Sequence, residues 1–161
     1  MNEALLQRLQ TLEGESAVRR LMARYMDLCD VPRVVVSVSQ LAQLFTEDAI
    51  WEGLGNQTAQ TFGQHRGRAA VTAFVGGYLP PSDHFQLNLH YLTSESIVVD
   101  GNGAQGQWIM QQISTYADGR SELFGTRLNI DFRCVDGIWQ IAHFRTQRLF
   151  NSDLFTSESG A

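Results

Sequence analysis

The sequence predicts an α+β fold in which helices pack on one side of a curved antiparallel sheet. The hydrophobic pattern changes once along the chain: helical spacing dominates before Pro80, and alternation of apolar and polar residues begins at Phe85. Glycine-containing turns then divide the second half into long strands. Helices followed by strands, without regular alternation, are typical of α+β rather than α/β proteins.

The helical pattern begins with an N-terminal arm. Residues Met1 to Leu12 have leucines at helical spacing, and we expect this short helix to pack on the body of the protein or on a partner subunit. Gly14 is expected to end it. Ser16 is a suitable N-cap for the main helix, which runs to about Asp30 and must stop before Val31 and Pro32.

Shorter elements follow the main helix. Their bounds rest on changes of period and on glycine and proline positions. In chain order we predict a loop or extended piece at Val31–Val36, a helix from Ser37 or Ser39 through Leu41 to Phe45, a turn at Thr46–Asp48, a strand at Ala49–Leu54, a polar turn-like segment at Gly55–Thr61, a short strand and turn at Phe62–Gly67, and a helix from Arg68 to about Tyr78.

Strands occupy most of the remaining chain. Asp100–Gly103 is a strong hairpin turn between strands that contain Ile97–Val99 and Gln107–Met110. A second connection begins at Ala117, and Val135–Gly137 turns into the last long strand. The sequence therefore predicts an antiparallel meander, followed by a polar tail over residues 151–161.

Composition limits the class of protein. The 161 residues are 43% hydrophobic, enough for one core, so we expect one domain over 1–161, with a core of about 14–150 and an arm over 1–13. The formal net charge is −5, and all twelve basic residues are arginine without a basic run, which argues against nucleic-acid or anionic-membrane partners.

With no apolar stretch near 18 residues and no signal-peptide pattern at Met1–Ala4, we expect a soluble cytoplasmic protein. Cys29 and Cys134 lie in apolar surroundings and are expected to be free buried thiols, and no zinc-site spacing is present.

Three residues are candidates for catalysis. Tyr25 belongs to the inward stripe of the main helix, whereas Asp30 is its last residue and can turn inward. His90 shares the polar phase of its strand with Gln86 and Asn88. A carboxylate beside a histidine fixes the ring tautomer and stabilises the imidazolium, so Asp30 and His90 are predicted to form a proton-transfer pair. The alternatives are a solvent carboxylate for Asp30, an exposed strand residue for His90 and a core residue for Tyr25.

Several stretches carry a family resemblance. The sequence over about 14–150 resembles the SnoaL-like and scytalone dehydratase-like branch of the nuclear transport factor 2-like superfamily. The matching stretches occur in the family's order, and they are Val18–Asp30, Leu41–Trp51, Gly63–Val71, Asn88–Thr93, Val98–Ala104 and Phe132–Ile141.

The resemblance implies a cone-shaped, bent antiparallel sheet wrapped around the long N-terminal helix, with two further helices and one pocket at the wide end. It implies that His90 is the base, that Asp30 orients it, and that Tyr25, five residues before Asp30, polarises a carbonyl or a departing hydroxyl. No metal and no organic cofactor are needed for that chemistry.

The predicted function is therefore a cofactor-free lyase of the dehydratase type. Its ligand is expected to be an apolar or aromatic cyclic small molecule bearing a carbonyl. An aromatic lining would suit such a ring and would also give the dry pocket that an elimination needs. The expected lining residues are Trp51, Phe45, Phe74, Trp108 and Met110. His143 and Arg145 share a strand phase, so one of them can reach the pocket, where we include Arg145; pairing with an acidic residue in solvent is the alternative. His65 and His84 are expected at the surface.

Two other interpretations stay open. An isomerase or cyclase could use the same dyad, since fold-level analogy does not separate these reactions from dehydration. Alternatively, the protein is a non-catalytic ligand-binding or assembly subunit, like the small subunits of ring-hydroxylating dioxygenases. Apolar residues on the late strands predict a sheet face that pairs with another subunit, so a homo-oligomer, dimer or trimer, is expected.

Overall fold

The computed structural model describes residues 2–32 and 38–154. The helices are α1 (Glu3–Cys29), α2 (Val38–Ala42), α3 (Asn56–Phe62) and α4 (Arg68–Gly76). The strands are β1 (Phe45–Gly53), β2 (Gln64–Arg66), β3 (Phe85–Asp100), β4 (Gly103–Tyr116), β5 (Ser121–Val135) and β6 (Ile138–Asp153). The predicted α+β class, with a long N-terminal helix and a curved sheet, is confirmed.

Helix α1 is continuous from the arm to the end of the main helix. The predicted break at Gly14 is wrong, as is the N-cap at Ser16, because Asn2 caps the helix by accepting a hydrogen bond from the Ala4 N–H. Gly14 is buried where the helix crosses the sheet: a Cβ atom there would lie 3.0 Å from Val99 and 3.3 Å from Trp139. This glycine therefore permits close packing, and α1 packs mainly on β3.

The six strands form one sheet in the order β2-β1-β6-β5-β4-β3. The three predicted hairpins of the meander are present, and they join β3 through β6 in antiparallel register. Strand β1 pairs with β6 in parallel, which the sequence did not predict. These two strands are far apart in the chain, so no hairpin sets their relative direction. Register shifts within β3 and between β5 and β6 allow the sheet to bend.

Three local predictions before Phe85 are wrong. The second helix ends at Ala42 instead of Phe45, and Thr46–Asp48 lies in strand β1 instead of a turn. Residues 55–61, predicted as turn-like, mostly form α3, so three helices follow α1 instead of two. Tertiary contacts stabilise α3: Thr58 is buried, and its hydroxyl accepts a hydrogen bond from the Arg148 N–H at 2.9 Å.

The predicted termini and loops are only partly described. Strand β6 continues to Asp153, so the predicted polar tail begins later than residue 151. The tail residues from 155 onward, Met1 and residues 33–36 of the predicted 31–36 loop lie outside the described ranges, as does Ser37, one of the two predicted starts of the second helix. No helix within residues 2–32 and 38–154 is long and apolar enough to cross a membrane.

The core lies between α1, α4 and the inner face of the sheet. Its fully buried side chains come from every layer, and they include Val18, Met22, Leu41, Val71, Leu128 and Ile141. Because side chains alternate along a strand, the even-numbered residues of β4 and β5 face this interior over most of their length. In β6 the even-numbered residues from Phe144 to Arg148 do so, after the bulge opposite Asp131 and Phe132. The same alternation determines which polar residues reach the cavity.

Candidate active site

A cavity of about 700 Å³ opens beside the C-terminal end of α1. Its walls come from α1, α3, α4 and the inner face of β3 to β6. Most of the lining is apolar or aromatic, and a few polar side chains converge within it, among them His90, Asn88, Gln112 and Arg148. An apolar cavity with a small number of polar groups is the usual form of a small-molecule site.

The end of α1 is joined to β3 at the wall of this cavity. Asp30 is the C-cap of α1 and has an extended backbone, so the chain leaves the helix toward the sheet. Val31 then exchanges two backbone hydrogen bonds with Asn88, both 2.8 Å long. This bridge places Asp30 next to His90, which lies two residues beyond Asn88 on the same face of β3.

Asp30 and His90 are in direct contact. Oδ1 of Asp30 lies 2.8 Å from Nδ1 of His90 and also accepts the backbone N–H of His90 at 3.0 Å. The His90 side chain is 9% exposed and that of Asp30 is 29% exposed. A carboxylate only accepts hydrogen bonds, so Nδ1 carries the proton and the lone pair of a neutral ring is at Nε2. Nε2 has no hydrogen-bond partner among the described residues, and His90 lines the cavity.

Tyr25 lines the cavity from the inner side of α1. Its hydroxyl accepts a hydrogen bond from Nε1 of Trp51 at 3.2 Å, and its ring packs on those of Phe45 and Phe144. Burial first, and then neighbouring Cys29, raise the pKa of Tyr25 well above its usual value of 10.0, against a smaller lowering effect of the Trp51 hydrogen bond. The hydroxyl is therefore protonated and can act as a donor.

The structure divides the predicted lining residues into two groups. Trp51, Phe74 and Met110 line the cavity. Phe45 and Trp108 do not lie on its surface: Phe45 is fully buried against the ring of Tyr25, and Trp108 is 2% exposed and packs on other core side chains. Both residues belong to the core instead, because the cavity occupies only one end of the interior.

Arg145 faces away from the cavity, contrary to its predicted role in substrate binding. It pairs with Asp131 at 2.8 Å and contacts Nδ1 of His143 at 2.7 Å, while Nε2 of His143 lies 2.7 Å from Glu52. This polar cluster occupies the outer face of the sheet. Strand alternation explains the error, since Phe144 and Thr146 on either side of Arg145 point inward.

Several cavity residues were not predicted. Asn88, Gln112 and Thr146 line it, as do Tyr116, Arg120 and Arg148 near its mouth. Alternation was the available signal: Asn88 shares the phase of His90, and Arg148 shares that of Phe144.

The expectation of a surface position for His65 is wrong, because it is half-buried and stacks on Phe74 with ring centroids 3.8 Å apart. His84 is exposed as expected, yet it also lines the cavity.

Tyr116 and two arginines form the polar part of the mouth. The Tyr116 hydroxyl donates to Oε2 of Glu122 at 2.7 Å, and the guanidinium of Arg120 lies 4.8 Å from the centre of the Tyr116 ring. Burial, with the hydrogen bond and negative charge of Glu122, raises the pKa of Tyr116 to about 12 despite the opposing charges of Arg120 and Arg148. Tyr116 is therefore a neutral phenol at ordinary pH.

Within the described part of the chain, no group of three or more His, Cys, Asp or Glu side chains is arranged to hold a metal ion. Cys29 is buried, Cys134 is half-buried, and neither forms a disulfide.

Comparisons with known proteins identify the family from a domain match and the fold from solved structures. The SnoaL-like domain profile matches residues 10–145. A hexachlorocyclohexane dehydrochlorinase (LinA) Type2 superposes with a TM-score of 0.73 at 16% identity, over 92% of this chain and 97% of that one. A scytalone dehydratase-like protein of Novosphingobium aromaticivorans gives 0.73 at 19% identity, over 93% and 96%. An NTF2-like protein of the same species gives 0.68 at 23% identity, over 90% and 88%. No curated protein matches the sequence significantly. At these identities the structural likeness establishes the fold.

Proposed function

Because the chain belongs to the SnoaL-like domain family, we propose that it is a cofactor-independent lyase of the dehydratase type. The observation that carries this proposal is the 2.8 Å contact between Asp30 and His90 at the wall of the apolar cavity. A histidine held by a carboxylate, with its second nitrogen open to a cavity, has the arrangement of a general base. His90 is the proposed base and Asp30 its orienting partner.

The proposed reaction removes water from a cyclic or aromatic small molecule. Nε2 of His90 takes a proton from the carbon next to a carbonyl, and the electrons of that C–H bond form a C=C bond as the C–O bond to the leaving hydroxyl breaks. Asp30 stabilises the imidazolium that forms. The leaving hydroxide takes a proton, so water is the second product and His90 returns to its neutral form.

Tyr25 is proposed to donate a hydrogen bond to the substrate oxygen. Its raised pKa keeps the phenol protonated, which is the form that donates. Trp51 donates a hydrogen bond to this hydroxyl and so fixes its position. Tyr25 lies on α1, about 7.5 Å along the helix axis from Asp30. An elimination needs a base and a donor on one substrate. The end of α1 orients the base, His90 of β3, through Asp30, and the same helix supplies the donor, Tyr25.

The cavity and the structural neighbours support the substrate class. Trp51, Phe62 and Phe74 provide aromatic surface, which suits a flat, ring-containing molecule. The names of two neighbours, a dehydrochlorinase and a scytalone dehydratase-like protein, both refer to eliminations from cyclic compounds. Their agreement favours elimination over isomerisation or cyclisation by the same dyad.

The test is turnover of a panel of cyclic β-hydroxy ketones, followed by mass spectrometry. We expect at least one compound to lose the mass of water with the wild-type chain and to stay intact with a folded His90→Ala variant. A product of unchanged mass would contradict dehydration and indicate an isomerase or cyclase. Binding without turnover by wild-type and variant alike would contradict catalysis and indicate a ligand-binding protein.

We also propose that the chain forms a homo-oligomer in the cytoplasm. Leu5, Leu6, Leu9 and Leu12 are each at least 42% exposed along one side of the N-terminal turns of α1, and such an apolar stripe favours association. Neither Cys29 nor Cys134 forms a disulfide, which is compatible with a reducing compartment. Sedimentation equilibrium tests the first proposal: a monomer at micromolar concentration would contradict it.

A further inference from the structure

Asn88, Gln112 and Ser114 form a closed ring of hydrogen bonds on the inner face of β3 and β4. Nε2 of Gln112 donates to Oδ1 of Asn88 at 2.8 Å and to Oγ of Ser114 at 3.1 Å. The Ser114 hydroxyl donates to the same Asn88 oxygen at 2.8 Å. Ser114 is fully buried and Asn88 is 4% exposed, so this ring is part of the interior and not a surface contact.

The ring leaves the amide nitrogen of Asn88 and the amide oxygen of Gln112 unused. Both hydrogens of the Gln112 amide and the single hydrogen of Ser114 are committed, and Oδ1 of Asn88 accepts two bonds. Nδ2 of Asn88 and Oε1 of Gln112 have no partner among the residues that the structure describes. Turning both amides over would preserve the ring and again leave one donor and one acceptor, with their positions exchanged, so the ligand would still need one acceptor and one donor.

The two unused groups lie on the cavity. Asn88 and Gln112 both line it, together with His90. Neither atom is among the fully enclosed polar atoms that lack a partner, so both are open to the cavity, where a ligand can pair with the Asn88 donor and the Gln112 acceptor. The cavity therefore presents a fixed hydrogen-bond donor and acceptor on a wall that is otherwise mostly apolar.

The ring is also next to the proposed base. In the β3–β4 ladder, His90 is directly opposite Gln112, and Asn88 is directly opposite Ser114. Directly opposite residues have Cβ atoms about 4.5–5.5 Å apart, and residues two apart on a strand share a face. A ligand held by the two amides therefore has its neighbouring carbon atoms within reach of His90.

On the premise of the dehydratase function, we propose that Asn88 and Gln112 bind the oxygen-bearing edge of the substrate. The substrate carbonyl accepts a hydrogen bond from Nδ2 of Asn88, and a hydroxyl on the same ring donates to Oε1 of Gln112. The substrate class is thus a cyclic hydroxy ketone. When His90 removes the proton next to the carbonyl, negative charge develops on the oxygen that Asn88 holds, and a preorganised donor stabilises that charge.

This assignment gives each donor its own substrate oxygen. Asn88 polarises the carbonyl, which leaves Tyr25 for the departing hydroxyl. Ser114 does not touch the substrate in this scheme. It is a positioning residue, because its hydroxyl, together with the amide of Gln112, holds Oδ1 of Asn88.

The first experiment changes the ligand and leaves the ring intact. Dissociation constants of 3-hydroxyindan-1-one, indan-1-one and indan-1-ol are measured by calorimetry on the full chain carrying His90→Ala, which prevents turnover. We expect the hydroxy ketone to bind at least tenfold more tightly than either single-oxygen compound. Affinities within threefold of one another would overturn the proposal, whether or not the wild-type chain proves to be a dehydratase.

The second experiment asks which residue holds the carbonyl. The C=O stretching band of bound indan-1-one is recorded by difference infrared spectroscopy on His90→Ala alone and combined with Asn88→Leu or with Gln86→Leu. Gln86 is the matched control, since it lies two residues earlier on β3 and its exposed amide donates to Ala117. We expect binding to lower the band frequency, and expect that shift to vanish only with Asn88→Leu.

The two proposals fail separately. An unchanged band shift in a folded Asn88→Leu protein would overturn the role of Asn88 even if dehydration is observed. If Asn88→Leu does not fold, Ser114→Ala takes its place, with a reduced band shift expected and an unchanged one contradicting the proposal. Absence of dehydration together with the expected affinities would leave the amide pair as a hydroxy-ketone site in a binding protein.

Discussion

Oδ1 of Asp30 accepts two hydrogen bonds from the same residue, His90: the ring Nδ1–H at 2.8 Å and the backbone N–H at 3.0 Å. The imidazole is thereby fixed relative to its own backbone as well as to α1. Both partners also adjoin the Val31–Asn88 bridge, which joins the helix end to the sheet. The geometry of this pair is therefore built into the fold and requires no movement on ligand binding.

The first prediction concerns Asp30→Asn, which retains the size of the side chain and removes its charge. Without the carboxylate, the imidazolium is no longer stabilised and the tautomer is no longer fixed. We expect turnover to fall by about 10²–10⁴-fold, the usual contribution of general acid–base catalysis. The measurement is kcat on the compound identified by the dehydration panel.

Asp27→Asn is the matched control for that variant. Asp27 is on the same helix, but it is exposed and pairs with Arg24 at 3.1 Å. We expect its kcat to stay within about twofold of wild type, a change that corresponds to about 0.4 kcal/mol in barrier height. Equal losses in the two variants would argue against a specific role for Asp30.

The second prediction is that Tyr25→Phe destabilises the protein and slows turnover. The change leaves Nε1 of buried Trp51 without its acceptor, and an unsatisfied buried donor costs about 1–3 kcal/mol. Urea unfolding measures the loss, with Tyr91→Phe as the control because Tyr91 is 47% exposed. A free energy of unfolding equal to that of the control would show that the Trp51 hydrogen bond contributes nothing.

The third prediction follows from the mouth of the cavity. Tyr116 should ionise at about pH 12, and Glu122→Gln should lower that pKa because it removes a negative charge beside the phenol. Since the folded-state pKa lies above the unfolded value, the stability that Tyr116 contributes is complete below about pH 10 and is lost as pH rises through about 12.

Phenolate absorbance reports this titration directly. The difference between wild type and Tyr116→Phe isolates Tyr116 from the other three tyrosines of the chain. A difference spectrum that already appears near pH 10 in the wild-type protein would contradict the raised pKa.

The fourth prediction concerns acid stability and the cluster on the outer sheet face. Burial by itself would raise the pKa of Glu52, but hydrogen bonds from Gln64 and His143 and the charges of His143 and Arg145 lower it overall. The resulting stability is present above the usual glutamate pKa of 4.5 and is lost as pH falls through the lower folded-state value.

Glu52→Gln tests that link. The variant lacks the titrating group, so its free energy of unfolding should fall less than that of wild type between pH 5 and pH 3. Chemical denaturation at a series of pH values measures both curves. Parallel curves would mean that Glu52 does not contribute to the acid sensitivity.

What the sequence could predict was determined by local chemistry. The Asp-Gly and Asn-Gly turns and the alternating strands are properties of short windows, and all three hairpins of β3 to β6 follow from them. Residues 55–61 lack such a signal, because α3 depends on the burial of Thr58 against a strand about 90 residues later. Propensity alone cannot report a contact of that range.

The site shows the same division between family pattern and register. The contact between Asp30 and His90 was predicted. The sequence places Tyr25 and Asp30 five residues apart on one helix, and the resemblance supplied His90. Arg145 was placed in the cavity because the bulge between Asp131 and Phe132 and the inward phase of Phe144 were not readable from one strand. Asn88 and Gln112 were missed because their roles depend on one another across two strands.

The last prediction is that Gly53→Ala destabilises the protein and weakens ligand binding. A Cβ atom at Gly53 would lie 2.3 Å from the backbone oxygen of Thr58, so α3 would have to move. Overpacking of this kind costs about 1–3 kcal/mol. Thr58, Thr61 and Phe62 of α3 line the cavity, so its wall would move as well. Gly103→Ala is the control, because a Cβ atom there makes an ordinary 3.6 Å contact. Thermal melting and 3-hydroxyindan-1-one affinity measure the two effects, and a Gly53→Ala protein that matches Gly103→Ala in both would show that α3 is not rigidly packed against β1.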